Sequence, residues 1–512
     1  MFSALFPKDE LSDAEVNSGM RTLVLDAMYG QTMGVLTTGA FLIGFALQLG
    51  ANNAVIGILS GLGPLALAMQ VPAVYLVQRL RRRKLIVVVM CTLSRIVWLA
   101  IPFLPFLLPE KAVIPAFLAL LLFHYGTGNI GGCAFNSWIR DLIPEKRLSS
   151  FFVRRLGMAT AAGALMSLLG GFTVDGWRNF AEKLPGGEVG GYGVVFVVAT
   201  IAGMMSVYYL VRTPESKMPA ADGQGFLAAL WQPLGDANFR QLLIFLGSWN
   251  FAINFAAPFF AVYLLRRLDM SMAWVIGLSV FSQLVNVLFF RLWGGLSDRF
   301  SNKSVIMFNV PLFIFSFLLW PFTTMPGPYF LTIPILIVAH IMAGIGTAGV
   351  NLCANNLALK LAPYGRGGNY LAVNSMVSGL AAMISPVIAG FSADWFETKV
   401  ITLTLHAGST LNPEGGMEFP AMDFRGLDFL FLIAFVMGLY AMHRLLSVRE
   451  EGEVKESVVR QAFFAEMART VRQVSTAAGV RQTISAPFTI IRELGGRQEE
   501  PQPEAVAENT PS

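Results

Sequence analysis

Long apolar runs separated by short polar stretches set the pattern of this chain. Twelve such runs lie at approximately 22–48, 54–78, 85–108, 112–138, 156–177, 192–211, 240–265, 272–294, 305–324, 330–358, 371–395 and 428–447. Each is long enough, as a helix, to cross a hydrocarbon layer of roughly 30 Å. Lipid offers no partner to an unpaired backbone group, so helices, which pair their own, are the expected form. Alternation with a period of two is not evident, which argues against a barrel of strands. Runs four and ten are long and are expected to tilt or to project beyond the membrane. The longest outer connection, 396–427, contains Gly, Pro and Thr and shows no motif.

The pattern repeats about 219 residues along the chain. Val55-Ile56-Gly57 recurs as Val275-Ile276-Gly277. Asn136, Pro144, Arg147, Gly171, Phe172 and Asp175 recur as Asn355, Pro363, Arg366, Gly390, Phe391 and Asp394, and Phe151 is answered by Tyr370. Most of these residues are small, turn-forming or charged, so a shared content of Leu does not account for the match. Two copies of one helical unit are a common way to build a solute path between halves. The expected domains are an N-terminal segment 1–21, a six-helix half 22–211, a linker 212–239, a second half 240–447 and a tail 448–512.

Composition agrees: 55% of residues are hydrophobic and 13% charged, too little charge to cover a soluble chain of 512 residues. The net charge of +5 does not signal nucleic-acid binding, because the basic residues sit in short loops. Arg79, Arg81, Arg82, Arg83 and Lys84 follow run two; Arg140, Lys146, Arg147, Arg154 and Arg155 follow run four. The excess on that side marks it as cytoplasmic, and an even number of spans puts both termini there. Cys91, Cys133 and Cys353 are too scattered for a metal motif, and neither metal nor cofactor is expected. Residues 1–17 are polar and lack a cleavage site. In the tail, Val459, Phe463, Met467, Val471 and Val474 recur every three or four residues among Arg460, Arg469 and Arg472. That spacing predicts an amphipathic helix, lying on the inner membrane surface or packed under the spans. The Pro/Glu-rich stretch 495–512 is expected to be disordered.

After run eight, Gly294-Gly295-Leu296-Ser297-Asp298-Arg299-Phe300-Ser301-Asn302-Lys303 resembles the loop signature of the major facilitator superfamily, G-x-L-x-D-R-x-G-R-[RK]. It departs at Ser301 and Asn302. The corresponding first-half loop keeps Leu76, Arg79 and Lys84 but has lost the Gly and the Asp. The resemblance, of the bacterial type, implies an all-α membrane protein of twelve helices in two pseudo-symmetric halves. It also implies a gating role for Gly294, Asp298 and Arg299. Arg147 and Arg366 are expected to bind exposed helix-end carbonyls as gating elements.

Ionisable residues inside spans are costly and therefore candidates for function. Asp26, His124 and His340 are the candidate proton carriers, since buried carboxylates and histidines can titrate near neutral pH. Asp26 can instead form a static tie with Arg95 or a loop arginine, and each histidine can simply bond to a neighbouring helix. The resemblance puts spans one, four, seven and ten around a central cavity, with His124 and His340 facing each other. Cavity candidates are Tyr29, Gln31, Arg95, His124, Asn129, Trp249, Asn250, Asn254, His340 and Asn351; uncharged donors beside rings suit a neutral or weakly charged solute. Asn136 and Asn355 read better as contacts between helices.

The expected function is secondary transport of a small organic solute by alternating access, coupled to protons, in the inner membrane and as a monomer. Its partners are the solute and the bilayer. A lipid flippase and a non-transporting sensor or scaffold are the alternatives. No nucleophile–base pair stands at catalytic spacing, so no enzyme is expected.

Overall fold

The computed structural model describes residues 7–9, 11–181, 187–218, 232–324, 327–363, 366–409, 412–450, 452–454 and 456–474. Among these, twelve helices are long and apolar enough to span a membrane. In chain order, spans one to six are Asp13–Gln48, Asn53–Leu80, Arg83–Leu107, Glu110–Leu142, Glu145–Arg178 and Val189–Arg212. Spans seven to twelve are Ala237–Arg267, Met272–Arg299, Asn302–Leu319, Thr332–Lys360, Gly367–Phe396 and Leu427–Leu445. The expected count holds. The helices run several residues past the apolar runs because their first and last turns are capped by polar side chains at the surface. Ser12 and Glu15 close a reciprocal capping box on span one. Asn52 accepts from Val55 N at 3.0 Å, Asp236 from Phe239 N at 3.1 Å and Ser301 from Ser304 N at 3.1 Å. Span one breaks at Thr38, where the backbone becomes extended and Gly39 takes a φ of +57°. Span two tightens into a 3-10 turn at Leu67–Met69, just after Pro64.

The packing follows the repeat. In the first half, span one packs on five and six, and span three on four and six. In the second, span seven packs on eleven and twelve, and span nine on ten and twelve. Each half buries its own aromatic contacts: Phe45 on Phe117 and Phe196 in the first, Phe260 on Trp320 and Phe431 in the second. The halves meet where span two packs on eleven and span five on eight.

The 396–427 connection departs from expectation. It contains an antiparallel hairpin, β1 (Val400–Ser409) and β2 (Asn412–Arg425). Val400 lies opposite Arg425, and an irregularity follows Leu403. Val400, Ile401 and Leu403 are all exposed, so this ribbon has no buried face at its base. Without a one-sided core its alternation carries no hydrophobic signature, which is why the sequence did not announce it.

A helix at Glu456–Val474 covers the amphipathic stretch of the tail. The expected disordered stretch 495–512 lies outside the described residues, as does the middle of the linker, 219–231.

Candidate functional site

The loops after spans two, four, eight and ten form the basic face; the loops after spans one, five, seven and eleven form the opposite face. On the opposite face each half caps a helix of the other. Asp175, at the end of span five, accepts from Met272 N at 2.8 Å and Ala273 N at 2.7 Å, the first residues of span eight. Asp394, at the end of span eleven, accepts from Asn53 N at 2.9 Å and Ala54 N at 3.0 Å, the first residues of span two. A carboxylate on unpaired helix N–H groups is favoured by hydrogen bonding and by the helix dipole. Beneath the second cap the backbones come close: a Cβ on Gly390 would stand 2.5 Å from Asn53 O, and one on Gly61 2.7 Å from Met383 O. Arg266 Nη2 adds a bond to Ala51 O across the halves at 2.9 Å.

On the basic face the equivalent bonds stay within each half. Glu215, just after span six, accepts from Arg83 N at 2.8 Å at the start of span three. Glu450, just after span twelve, accepts from Asn302 N at 3.3 Å and Lys303 N at 2.7 Å at the start of span nine. Arg83 and Asn302 are 219 residues apart, as are Lys84 and Lys303, so the repeat runs through these caps as well. The two glutamates titrate differently. Burial pushes both upward. At Glu215 burial prevails over the hydrogen bonds and raises the carboxyl above its ordinary value. At Glu450 the backbone of Lys303, the ammonium of Lys360 at 2.9 Å and the amide of Asn302 outweigh burial and hold it below.

Burial also changes along single helices. In span two Ile56 and Leu59 are buried, whereas Val71 and Tyr75 are 60% and 66% exposed. In span eight Val275 and Leu278 are buried while Leu284 and Leu288 are exposed; in span eleven Ala389 and Ala393 are buried while Met376 and Leu380 are exposed. Burial follows no single direction along these helices: Trp293 and Tyr370, near the basic face, are buried as well, and Trp274 and Trp395, near the opposite face, are exposed.

Between spans one, three, four, five and six of the first half lies a cavity of about 300 Å³, lined by Asp26, Gln31, Arg95, Gly128, Gly132 and Arg155 among others. Asp26 is 5% exposed. It accepts from Ser206 Oγ of span six and pairs with Arg155 Nη2 of span five at 3.5 Å. Arg95 Nη1 donates to Gly203 O at 2.6 Å.

The candidate residues divide. Asp26, Gln31 and Arg95 come together in that cavity, and Tyr29 stacks on Tyr209 one turn from Asp26. His340 lines a second cavity of about 340 Å³ with Phe260, Phe313, Ser282 and Trp320, and its Nδ1 lies 2.7 Å from Leu336 O. His124 does not face it. Its ring is turned into the contact with span three, 2.8 Å from Ser94 Oγ and 3.2 Å from Trp98 Nε1. Trp249 is buried inside the second half against Phe245 and Phe313. Asn250 ties span seven to Ser378 of span eleven at 3.1 Å, and Asn254 and Asn129 donate to carbonyls of their own helices at Asn250 and Tyr125. Asn351 is exposed on span ten.

In the signature loop Gly294 is half-buried, Asp298 and Arg299 are exposed, and the Arg299 guanidinium lies over the Phe300 ring at 5.1 Å. Arg147 donates to the Asn17 side chain at 2.8 Å. Arg366 precedes span eleven and is exposed.

Sequence reasoning missed Asp175, Asp394, Glu215, Glu450, Arg155 and Ser206. For the two aspartates the signal existed, since both stand in the repeat; what was hidden was their partner, a bare backbone in the other half.

Compared with known proteins, the chain matches the family model described as Major Facilitator Superfamily over residues 27–386. No curated protein matches it. Among solved structures, a mutant of the nucleoside transporter NupG is 12% identical, with 84% of this chain and 100% of that one covered, at a TM-score of 0.66. A bacterial homolog of the human lysosomal transporter Spinster, inward-facing and unoccupied, is 16% identical over 86% and 100%, at 0.59. A D-xylose-proton symporter is 13% identical over 85% and 98%, at 0.59.

Proposed function

Because this chain belongs to the major facilitator superfamily, and is therefore a multi-pass membrane transporter rather than an enzyme, we propose that it carries a small organic solute by alternating access, coupled to protons at Asp26. The observation that carries the reading is the mirrored pair of caps on one face. Asp175 and Asp394 hold the halves together there, whereas on the basic face the matching caps of Glu215 and Glu450 stay within their own halves. That asymmetry supports a state closed at the opposite face and open at the basic one. Rocking it the other way requires both carboxylates to leave their N–H groups and be rehydrated. Exposure of Asp298 and Arg299 fits a latch that engages only when the basic face closes.

The excess of Arg and Lys makes the basic face cytoplasmic. Both termini then lie inside, in the inner membrane, and the working unit is a monomer. The domain limits proposed are a first half over 22–211 and a second over 240–447, joined by a cytoplasmic linker. Similarity to a nucleoside transporter and to a D-xylose-proton symporter supports a small solute, and the latter supports a proton as the coupling ion.

Asp26 is the coupling group because its ion pair to Arg155 and its bond to Ser206 tie span one to spans five and six. The charged and titratable groups around it are Arg155 of span five and Arg95 and Cys91 of span three. A proton on Asp26 removes the charge that holds Arg155 and loosens that tie. In liposomes, Asp26→Asn is expected to abolish uptake driven by a pH gradient while sparing solute exchange. Full pH-driven uptake by the variant would end the proton role of Asp26.

A further inference from the structure

The charge count of the first-half cavity does not close. Its lining contains one carboxylate, Asp26, and two guanidiniums, Arg95 and Arg155. Asp26 is already engaged by Arg155 and Ser206. Arg95 lies eleven residues into the helix beyond Lys84, about 16 Å along it. Among the described residues its guanidinium donates to Gly203 O, a neutral acceptor. Among the described residues no carboxylate other than Asp26 lines the cavity. Arg95 also acts on Asp26 through space, but one carboxylate cannot neutralise two guanidiniums; the excess positive charge is costly inside a membrane, so the site is poised to take an anion from elsewhere.

We propose that the solute is a small organic anion, a carboxylate or a phosphate ester, whose charged group binds between Arg95 and Arg155. This rests on the transporter reading above and specifies its substrate class. Guanidinium groups present planar forks of N–H donors that match the oxygens of either anion. Both are held in place. The Arg155 Nε donates to Leu23 O at 3.3 Å, and its guanidinium lies 5.2 Å from the Phe135 ring. The Arg95 stem packs against Gly203, where an added Cβ would meet its Cδ at 3.1 Å. Gly128, Gly131 and Gly132 of span four line the cavity, and room for the solute is clearest at Gly132, where nothing lies within 4 Å of an added Cβ. About 300 Å³ is at the small end for a ligand pocket, so the solute is small. Asp26 is then an internal competitor. Ionised, it occupies Arg155; protonated, it releases Arg155 to the solute anion. Proton and anion therefore enter the site together.

The test uses the full chain in liposomes and three matched pairs of probes: lactate and lactamide, benzoate and benzamide, glycerol 3-phosphate and glycerol. We expect at least one anionic member to enter and its neutral partner not to; whether the carboxylates or the phosphate ester enters separates the two sources of the charge. Arg95→Gln and Arg155→Gln are expected to slow that uptake by about tenfold to a hundredfold, the range for losing a charged hydrogen bond. Arg155→Lys should recover part of the loss, which a variant that merely misfolds would not allow. Entry of neutral members alongside their acids, no entry of any anion, or Gln variants that match the parent would each overturn the proposal. The transporter reading is tested apart from the probes, by thiol labelling of Val71→Cys and Ser279→Cys from the two sides. Labelling confined to one side under every condition would count against rocking, whatever the probes do.

Discussion

Asp394 of span eleven accepts the backbone N–H of Asn53 in span two at 2.9 Å, closing one half of the molecule against the other. Asp175 does the same for Met272 on the facing pair of helices. The bonds join a side chain to a main chain, so each clasp needs only one acidic residue and a helix beginning at the right place. That economy lets the same device appear twice from one repeated unit.

Removing a clasp should open that face. A capping carboxylate contributes about 1 kcal/mol, so Asp394→Ala or Asp175→Ala is expected to raise the population open at that face about fivefold. The readout is maleimide labelling of Ser279→Cys from the opposite face, in a background without Cys91, Cys133 and Cys353. Unchanged labelling in the Asp175/Asp394 double variant would remove the clasps from the gating mechanism.

A methyl group should have a similar effect at Gly390. Its Cβ would meet Asn53 O at 2.5 Å and Ala54 Cα at 3.0 Å, both backbone atoms that cannot swing aside. Overpacking of this kind costs about 1–3 kcal/mol. Gly390→Ala is therefore expected to raise the same labelling and slow transport. Gly277→Ala is the control, because nothing lies within 4 Å of its added Cβ. Equal behaviour of the two variants would show that the close approach of spans two and eleven does not matter.

Glu450 should make stability depend on pH. Its carboxyl is held below the ordinary value, so its contribution is complete above the unfolded glutamate pKa of about 4.3 and is lost as pH falls through the lower folded value. Glu450→Gln should lower Tm at pH 7 and narrow the gap from the parent protein below about pH 4. The check is a pair of melting series in detergent. A gap that stays constant across that range would mean the carboxylate charge plays no part in the cap.

His124 should behave as a structural residue. It holds span four to Ser94 and Trp98 of span three. His124→Leu is expected to cost about 1–2 kcal/mol of stability and to leave KM unchanged. A raised KM without loss of Tm would return His124 to the solute path.

Much of the architecture was legible along the chain. Twelve apolar runs became twelve spans, because a hydrocarbon layer fixes the length of any helix that crosses it. The repeat correctly announced two similar halves. Asp26 and Arg95 could be singled out, since an ionisable residue in an apolar run stands out by type alone. Trp249 could not be placed, because a ring on a span packs equally well against a neighbouring helix or a cavity, and its helical face relative to both is not written locally. Arg155 was hidden for a different reason: it follows other basic residues and reads as part of a loop, yet its helix begins at Glu145 and carries it to the carboxylate of Asp26.

The sequence by itself determined what each segment is: a span, a turn, a charged loop, a copy of an earlier segment. Those properties depend on transfer from water to lipid and on bonds between near neighbours, which a run of residues specifies on its own. Only the tertiary structure decided which carboxylate meets which helix end. Asp175 and Asp394 answer backbone N–H groups 97 and 341 residues away, and a backbone N–H has no residue type to betray it. Which partner closes such a bond is settled by how the two halves sit against each other, a relation that exists only once both have folded.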